Sequence, residues 1–241
     1  MTKVTVIIPT CGDRPEFLKR AIFSVEQQTF KDLECLVIED IERRGLAYVR
    51  NFGAETGQGE YVVSLDDDNE FSPVYLEKTV AFLDEHPEFA GVGVGRVVKY
   101  PEGAVYQPPP SGEYFPINDG YLIRRDCFLA VRCDEELLAN EDADFGLRFL
   151  KRFKVGRIEE FLMRVQGSPI INTTSHTNYS DRHLAGMVNF WLKCKDDLPS
   201  KDRRHYQSMI GRMFLLASGQ RWYRWGYIIE QKLKRYVQIL W

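Results

Sequence analysis

Three consecutive aspartates, Asp66–Asp68, come directly after a short apolar run, Tyr61–Leu65. Like charges this close raise one another's pKa, so the three carboxylates are costly to ionise unless a positive group neutralises them. Magnesium or manganese binds one or two carboxylates and completes its shell with phosphate oxygens, which indicates a cation that carries a diphosphate. A solvated loop containing an Asx turn is the alternative interpretation. An EF-hand calcium loop is excluded, because Phe71 stands at the sixth position from Asp66, where that loop needs glycine.

Glu141, Asp142 and Asp144 form a second acidic group. Asn140 precedes them as the candidate N-cap of a helix that we predict to run through Lys151. Acidic side chains in a first helical turn interact favourably with the helix macrodipole, by about 0.3–1 kcal/mol each. The spacing alone therefore does not distinguish a role in helix stability from a role in chemistry.

Strand and helix patterns alternate along the first hundred residues and must position the first acidic group. Short apolar runs predict four strands, at Val4–Pro9, Leu33–Ile38, Tyr61–Leu65 and Gly91–Tyr100. Helical spacing of apolar residues predicts helices that start at Pro15, that span Leu46–Ala54, and that run from an N-cap at Ser72 to about Pro87. Such an alternation is typical of a parallel sheet with helices on both faces.

The carboxyl ends of the predicted strands carry polar residues. Thr10, Asp13 and Asp40 fall at these ends, and so does Asp66–Asp68. Ligands of open α/β sheets bind beyond the carboxyl ends of the strands. We therefore expect these residues to share one ligand-binding edge.

The second half of the chain has a less regular pattern. Pro101–Pro116 holds five of the eleven prolines and is predicted to be a long loop, which in a compact domain is often functional. Gly120–Arg124 predicts a strand, and two polar strands and a polar loop, Ser168–Ser180, follow the helix that starts at Asn140. Beyond Asp181 the pattern predicts helices to the end of the chain.

Six segments resemble, in order, the motifs of family 2 glycosyltransferases of the GT-A fold. Four match the nucleotide-binding half of that family and two match its acceptor half: Val4–Thr10, Ser24–Phe30, Leu33–Asp40, Arg50–Asp68, Gly120–Phe128 and Asn140–Leu150. The resemblance covers about residues 3–180. It implies an α/β protein with a single Rossmann-like, mostly parallel sheet flanked by helices. It also implies a catalytic domain over residues 1–180, divided at residue 100 into a nucleotide-sugar-binding half and an acceptor half. No motif of the family matches residues 181–241, for which the sequence pattern alone predicts a helical, basic and aromatic extension.

The resemblance assigns the donor site to the edge of the sheet. The nucleotide-sugar contacts that it implies are Pro9, Thr10, Asp40, Arg50, Asp66 and Asp67. Asp40 takes the position that receives the nucleobase, and uracil or thymine offers its N3–H to such a carboxylate. Arg50 takes a donor-side position, with an ion pair on a helix surface as the alternative. Asp68, Asp66 and His176 are implied contacts of Mn2+ or Mg2+, and an exposed loop histidine is the alternative for His176.

The resemblance assigns catalysis to the second acidic group. Asp142 takes the place of the catalytic base, which accepts a proton from the acceptor hydroxyl while that oxygen attacks the anomeric carbon. A single displacement of this kind inverts the anomeric configuration. Asp119 and Glu141 are implied acceptor contacts, and a turn-forming aspartate is the alternative for Asp119.

We therefore expect a metal-dependent, inverting glycosyltransferase that moves a sugar from a UDP- or dTDP-linked donor to a hydroxyl of a glycan or lipid-linked acceptor. One alternative is a non-catalytic nucleotide-sugar-binding protein of the same fold. Another is a GT-A-like nucleotidyltransferase, which is disfavoured because Cys11–Arg14 (CGDR) is not a glycine-rich phosphate loop.

Composition narrows the class of protein further. The 241 residues are 44% hydrophobic and 28% charged, which is ordinary for a soluble globular protein, and the net charge of −3 excludes a protein that is basic overall. The five cysteines form no CxxC pair, which favours reduced thiols. No signal-peptide pattern follows Met1, and no apolar run approaches the ~18–20 residues that span a bilayer. We expect a cytoplasmic protein.

The charge is divided unevenly along the chain. Residues 201–241 carry +7 and residues 1–200 carry −10. Aromatic and basic residues interleave in Arg221–Trp241, which suits an anionic membrane surface and predicts peripheral contact at the inner membrane face. Packing of these aromatic residues against the catalytic domain is the alternative. Nucleic acid is not expected as a partner, because no recognised binding fold accompanies the charge.

Overall fold

The structure, a computed structural model, describes residues 2–112, 115–117, 119–137, 139–167 and 181–217. Three sequence predictions fall outside these residues: the metal contact His176, the polar loop Ser168–Ser180 and the basic, aromatic segment Arg221–Trp241. They stay predictions.

Strands and helices alternate along the described residues. The strands are β1 (Val4–Thr10), β2 (Leu33–Glu39), β3 (Tyr61–Ser64), β4 (Glu70–Phe71), β5 (Gly91–Tyr100), β6 (Gly103–Gln107), β7 (Tyr121–Arg124) and β8 (Val155–Gln166). The helices are α1 (Pro15–Glu26), α2 (Leu46–Thr56), α3 (Tyr75–Glu85), α4 (Arg125–Val131), α5 (Glu141–Leu150), α6 (Asp181–Cys194) and α7 (Ser200–Ala217). The predicted α/β class is confirmed.

The strands form one sheet in the order β2-β1-β3-β7-β5-β8-β4, and β6 pairs with the second half of β5. β1 is parallel to β2 and to β3, and β5 is parallel to β8. β7 is antiparallel to both β3 and β5, β6 is antiparallel to β5, and β4 is antiparallel to β8. The sheet is therefore mixed, where the sequence predicted a mostly parallel one.

The insertion of β7 explains this difference. Helix α3 carries the chain from β3 to β5, and these two strands run in the same direction without being neighbours in the sheet. A parallel pair needs a crossover connection, but the space between β3 and β5 is filled by a strand that returns from the β6 side. Because β7 arrives from the opposite end, it pairs antiparallel with both.

Apolar side chains of β1 alternate between the two faces of the sheet, as the period of two residues requires. Val4, Val6 and Ile8 are fully buried against residues of α1 and α3. Ile7 points to the opposite face and is buried with residues of α2, α4 and α5. Helices therefore cover both faces, as predicted.

The start of α3 differs from the prediction. The helix begins at Tyr75 after Val74, and no side chain caps it, so the predicted N-cap at Ser72 is wrong. The Ser72 carbonyl instead accepts hydrogen bonds from Tyr75 N at 2.9 Å and from Gln28 Nε2 at 2.7 Å. These bonds hold Ser72 in the turn before the helix.

Part of the predicted loop Pro101–Pro116 is a strand. Gly103–Gln107 pairs antiparallel with Arg96–Tyr100 across a tight turn, so the loop prediction is wrong for this stretch. Gly103 has φ +147°, which its missing Cβ permits at the point where the chain reverses. The run of prolines that suggested a loop begins only after β6 ends.

Asn140 stands at the N-cap position of α5, as predicted, but its side chain makes no capping hydrogen bond. Its backbone is left-handed at φ 58°, a conformation that asparagine tolerates better than most residues. The predicted capping role is therefore wrong. The positive φ instead turns the chain sharply just before the second acidic group.

The helices α6 and α7 pack against α5. Phe190 and Cys194 of α6 and Tyr206 of α7 are buried together with Leu147 of α5. The helical prediction beyond Asp181 is confirmed as far as Ala217. No helix in the described part of the chain combines the length and the apolar character that crossing a bilayer would require.

Candidate active site at the carboxyl edge of the sheet

The carboxyl ends of β1, β2 and β3 meet at one edge. Asp40 N donates to Thr10 O at 2.8 Å, and Leu65 N donates to Ile7 O at 2.9 Å. These bonds extend the two parallel ladders by one residue beyond the strands. The edge that the sequence predicted is therefore formed, with Thr10, Asp40 and Asp66 on neighbouring strand ends.

Asp67 is the innermost of the three consecutive aspartates. Its side chain is only 2% exposed. Thr10 Oγ1 donates to Asp67 Oδ2 at 2.8 Å, and Arg14 Nη2 lies 2.5 Å from Asp67 Oδ1. Arg14 Nη1 also pairs with Asp68 Oδ2. One guanidinium therefore pairs with two adjacent carboxylates at the end of β3 and leaves a net negative charge there.

Asp66 is held by a different arginine. Arg50 Nη2 lies 3.5 Å from Asp66 Oδ1, and this oxygen is buried and accepts no hydrogen bond from the described residues. Burial, reinforced by the negative charge of Asp119, raises the pKa of the Asp66 carboxyl to about 7, although Arg50 opposes the shift. Asp66 is thus an oxygen donor whose negative charge is only partly compensated.

Arg50 links the two acidic groups of the sequence. Its side chain is 7% exposed, and Nη1 donates to Glu141 Oε1 at 2.9 Å. The residue had been predicted as a donor contact, with a surface ion pair as the alternative. The structure places it in a buried ion pair, between the end of β3 and the first turn of α5. A direct contact with a donor stays a prediction.

Asp142 is half-buried at the start of α5, and Ala143 N donates to its Oδ1 at 2.8 Å. Burial raises the pKa of the Asp142 carboxyl above its ordinary value, and the adjacent Glu141 raises it further, while Arg50 lowers it. A carboxylate with a raised pKa is a better proton acceptor near neutral pH than an ordinary one.

Asp144 has a different environment from Asp142. Its side chain is fully buried. Arg148 Nε donates to Asp144 Oδ2 at 2.7 Å, and Lys193 Nζ of α6 lies 2.7 Å from Oδ1. With both oxygens paired to cations, Asp144 joins α5 to α6 and is not available to a substrate.

Asp119 lies in an internal network. It is 3% exposed and accepts a hydrogen bond from Asn69 Nδ2 at 2.5 Å, while Arg96 Nη2 donates to its carbonyl at 3.0 Å. Asn69 Oδ1 in turn accepts from Gln166 N at 3.0 Å. Asp119 therefore supports the floor of the site, and its predicted contact with an acceptor stays a prediction.

Asp40 shapes the loop after β2. Its two carboxylate oxygens accept from Arg44 N at 2.8 Å and from Gly45 N at 2.7 Å. Each oxygen keeps a further lone pair for another donor. Recognition of a nucleobase by Asp40 stays a prediction, as does the contact predicted for Pro9, which lies within β1 opposite Ile38.

Comparison with known proteins shows which proteins this chain resembles. Residues 41–135, which include Arg50 and Asp66–Asp68, match the protein-family model described as "Glycosyl transferase family 2". The curated proteins that resemble the chain are glycosyltransferases. Residues 41–135 of the chain are therefore similar to glycosyltransferase family 2.

Three curated relatives illustrate the similarity of the chain to glycosyltransferases. The glucosyl-dolichyl phosphate glucuronosyltransferase of Haloferax volcanii is 29% identical over 158 residues, which cover 55% of the chain and 46% of that protein. The putative colanic acid biosynthesis glycosyl transferase WcaA of Escherichia coli is 22% identical over 245 residues, which cover 84% of the chain and 85% of WcaA. The GalNAc(5)-diNAcBac-PP-undecaprenol beta-1,3-glucosyltransferase of Campylobacter jejuni is 25% identical over 184 residues, which cover 58% of each. The chain spans about half the length of the first of these relatives.

Solved structures with the same fold include two complexes with nucleotide sugars. S. aureus TarS 1–349 in complex with UDP-GlcNAc has a TM-score of 0.62 at 16% identity, and the match covers 86% of the chain and 70% of the TarS chain. The mannosyltransferase PcManGT of Pyrobaculum calidifontis, in complex with GDP-Man and Mn2+, has a TM-score of 0.59 at 15% identity. The match covers 98% of the chain and 80% of PcManGT. At such identities the similarity concerns the fold, and it confirms the predicted GT-A fold.

The acidic edge of the sheet suits an open cation site. In the part of the chain that the structure describes, no three His, Cys, Asp or Glu side chains converge as a closed metal site would require. A cation that takes one or two carboxylates and completes its shell with phosphate oxygens needs no such convergence. Asp66 Oδ1, which accepts no hydrogen bond within the described parts of the chain, and the partly exposed Asp68 are hard oxygen donors of the kind that Mg2+ and Mn2+ prefer.

The sequence predicted most of the acidic residues at this edge of the sheet but not several of the side chains that support them. It named Thr10, Asp66–Asp68, Arg50, Glu141 and Asp142, which the structure brings together. It did not name the supporting residues Arg14, Asn69 and Arg96. A signal existed for Arg14, which follows Asp13 at the same edge and is the basic residue nearest in sequence to the end of β1.

Proposed function

We propose that the chain transfers a sugar from a nucleotide-diphosphate sugar to a hydroxyl of a glycan or lipid-linked acceptor, with inversion and with the aid of a divalent cation. The observation that carries the proposal is the buried bridge through Arg50. It joins Asp66, at the end of β3, to Glu141, the residue beside Asp142. This bridge connects the three consecutive aspartates, which are proposed to face the donor, to the helix turn that carries the candidate base Asp142.

The donor side of the proposal rests on the end of β3 and its neighbours. Asp67 is immobilised by Thr10 and Arg14, which leaves Asp66 and Asp68 as the carboxylates with incompletely satisfied oxygens. These two residues would hold Mn2+ or Mg2+. Such a cation, when bound, supplies positive charge that stabilises the diphosphate as a leaving group.

The acceptor side rests on Asp142. Its carboxylate accepts the proton of the acceptor hydroxyl as that oxygen forms a bond to the anomeric carbon. The bond between the anomeric carbon and the diphosphate oxygen breaks on the opposite side, and the electron pair leaves with the diphosphate. The raised pKa of Asp142 supports this role, because proton transfer is most efficient when the pKa of the base lies near the working pH.

The identity of the donor and acceptor is supported by relatives. TarS binds UDP and UDP-GlcNAc, and PcManGT binds GDP-Man. The curated relatives from Haloferax volcanii and Campylobacter jejuni are named for acceptors linked to dolichyl phosphate and to undecaprenol diphosphate. We favour a uridine or thymidine donor because Asp40 can accept N3–H, and we favour a polyprenyl-linked acceptor.

Slow hydrolysis of the donor tests the proposal without a known acceptor. The purified protein is incubated with Mn2+ and, separately, with UDP-GlcNAc, UDP-glucose, dTDP-glucose and GDP-mannose, and nucleotide release is measured. We expect release from one donor, its loss on addition of EDTA, and its loss in Asp68→Ala and Asp142→Asn. Asp32→Asn, an exposed aspartate at the opposite end of β2, and Glu136→Gln, an exposed acid just before α5, are matched controls that should keep activity.

The anomer formed in the same reaction tests inversion. Proton NMR recorded before the free sugar equilibrates should show the β anomer from an α-linked donor. An α anomer would contradict inversion. Manganese-dependent nucleotide binding with no turnover across the donors and polyprenyl-phosphate acceptors would instead support a binding protein of the same fold.

A further inference from the structure

Arg14 pairs with Asp67 and Asp68, two of the three consecutive aspartates at the proposed cation site. Its Nη2 lies 2.5 Å from Asp67 Oδ1, and its Nη1 pairs with Asp68 Oδ2. The Arg14 side chain is 46% exposed, whereas that of Asp67 is 2% exposed and that of Asp68 is 23% exposed. An ion or nucleotide that approaches from solvent therefore meets the guanidinium before it reaches the inner carboxylate.

The backbone of Arg14 is fixed while its side chain is long and partly solvated. The Arg14 carbonyl accepts hydrogen bonds from Phe17 N and Leu18 N, both at 3.1 Å, at the start of α1. The preceding turn is also fixed, because Gly12 N donates to Thr10 Oγ1 at 3.1 Å. A change of rotamer can therefore move the guanidinium away from Asp68 without any change in the sheet edge.

A divalent cation and Arg14 compete for the same oxygens. Asp68 Oδ2 is the oxygen that pairs with Arg14 Nη1, and Asp68 is also a proposed cation ligand. Two positive groups placed on one carboxylate repel each other strongly in a partly buried site. A guanidinium released from Asp68 stays beside the cation, where the diphosphate places its own negative oxygens. Its planar fork matches phosphate geometry.

We propose that Arg14 is a positioning residue that occupies Asp67 and Asp68 as an internal cation and moves onto the donor diphosphate when Mn2+ takes Asp68. This inference rests on the proposed function. It predicts that Mn2+ and a nucleotide diphosphate bind cooperatively, because the diphosphate stabilises the position of Arg14 that leaves Asp68 free for the metal.

Titration with Mn2+ alone tests the competition. Binding to the full chain is followed by electron paramagnetic resonance of free Mn2+ and by calorimetry, without nucleotide. Removing the competitor in Arg14→Ala should tighten Mn2+ binding by about tenfold, the equivalent of one charge-assisted hydrogen-bonded contact. Arg14→Lys keeps a cation but loses the two-pronged contact and should fall between wild type and Arg14→Ala.

Titration with UDP at saturating Mn2+ tests the movement onto the diphosphate. Arg14→Ala should weaken UDP binding by about tenfold and should abolish most of the cooperativity between UDP and Mn2+. Arg14→Ala is thus expected to tighten Mn2+ binding and to weaken UDP binding. A residue with a merely structural role would not change the two affinities in opposite directions. Arg14 is half-exposed, so we expect the variants to fold, and circular dichroism verifies this.

Lys19→Ala is the matched control, since it removes one positive charge from α1 where Lys19 is exposed and pairs with Glu16. Its affinities for Mn2+ and UDP should equal those of wild type. Equal Mn2+ affinity in wild type and Arg14→Ala, including no binding by either, would overturn the inference. Donor hydrolysis is measured separately, so a failure to turn over donors rejects the proposed function without deciding this competition.

Discussion

Arg50 Nη1 lies 2.9 Å from Glu141 Oε1, and the same guanidinium lies 3.5 Å from Asp66 Oδ1. The two carboxylates are separated by 75 positions of sequence and belong to different layers of the fold. One buried cation thus bridges the end of β3 and the first turn of α5. Because Asp142 follows Glu141 directly, this bridge lies beside the candidate base.

Removing Arg50 should destabilise the protein severely. Arg50→Met leaves Glu141 and Asp66 buried without their cation, and breaking a buried pair in this way typically costs about 3–5 kcal/mol. Arg50→Lys keeps the charge but cannot reach both carboxylates, so we expect roughly half that loss. Urea denaturation at pH 7.5 measures both values. Arg20→Met, at an exposed arginine of α1, is the control, and a loss below about 1 kcal/mol in Arg50→Met would contradict the bridge.

Asp66 should make stability depend on pH in the absence of divalent cations. Its pKa in the folded protein is raised to about 7, above the ordinary value of 3.8, so the folded state holds this proton more tightly than the unfolded state. Stability should therefore fall as the pH rises through this window. Asp66→Asn removes the titration and should gain roughly 1–2 kcal/mol relative to wild type between pH 5 and pH 8, a value reduced for the partial exposure of the side chain.

Thermal unfolding in EDTA at a series of pH values measures this difference. Asp32→Asn, on an exposed aspartate far from the site, should parallel wild type across the series. A constant offset between Asp66→Asn and wild type from pH 5 to pH 8 would show that Asp66 titrates normally. Addition of Mn2+ at pH 8 should stabilise wild type more than Asp66→Asn, because the cation neutralises the carboxylate.

The local part of this architecture was predictable from the sequence. Apolar runs of five or six residues, each followed by a polar residue, predicted β1, β2 and β3 and the shared edge that holds Thr10, Asp40 and Asp66. These features depend on neighbours in the sequence, namely side-chain alternation and the residues that end a strand. The acidic first turn of α5 is local in the same sense.

The contacts that join the edge to the rest of the site are not local. Arg14 and Asp67 are 53 positions apart, and Arg50 and Glu141 are 91 positions apart. Nothing in the spacing around Arg50 distinguishes a buried bridge from a surface helix residue, because that difference is made by α5 packing over α2. The antiparallel insertion of β7 escaped prediction for the same reason, since strand order is decided by pairing between distant segments.

Substitutions at Asp142 and Asp144 should have different effects, the first on catalytic activity and the second on the stability of the fold. Asp142→Asn removes the proposed proton acceptor and should lower donor turnover by about 10²–10⁴-fold with little change in unfolding temperature. Asp144→Asn should do the reverse, because it leaves Arg148 and Lys193 without their shared carboxylate. We expect it to lose roughly 3 kcal/mol or more in urea denaturation. If Asp142→Asn keeps turnover while Asp144→Asn loses it in a folded protein, the two roles have been assigned the wrong way round.

Lys193 should control the docking of the helical extension. Its Nζ lies 2.6 Å from Asp134 Oδ2 and 2.7 Å from Asp144 Oδ1, so it ties α6 to the start of α5 and to the loop before it. Lys193→Met should raise hydrogen exchange in α6 and α7 well before the sheet unfolds, because the contact is confined to this junction. Lys201→Met, on the exposed side of α7, should leave exchange unchanged. If hydrogen exchange in α6 and α7 is the same in Lys193→Met as in wild type, the buried contacts of Phe190 and Leu147 suffice to dock α6. In that case, the ion pairs would only complete the neutralisation of Asp144.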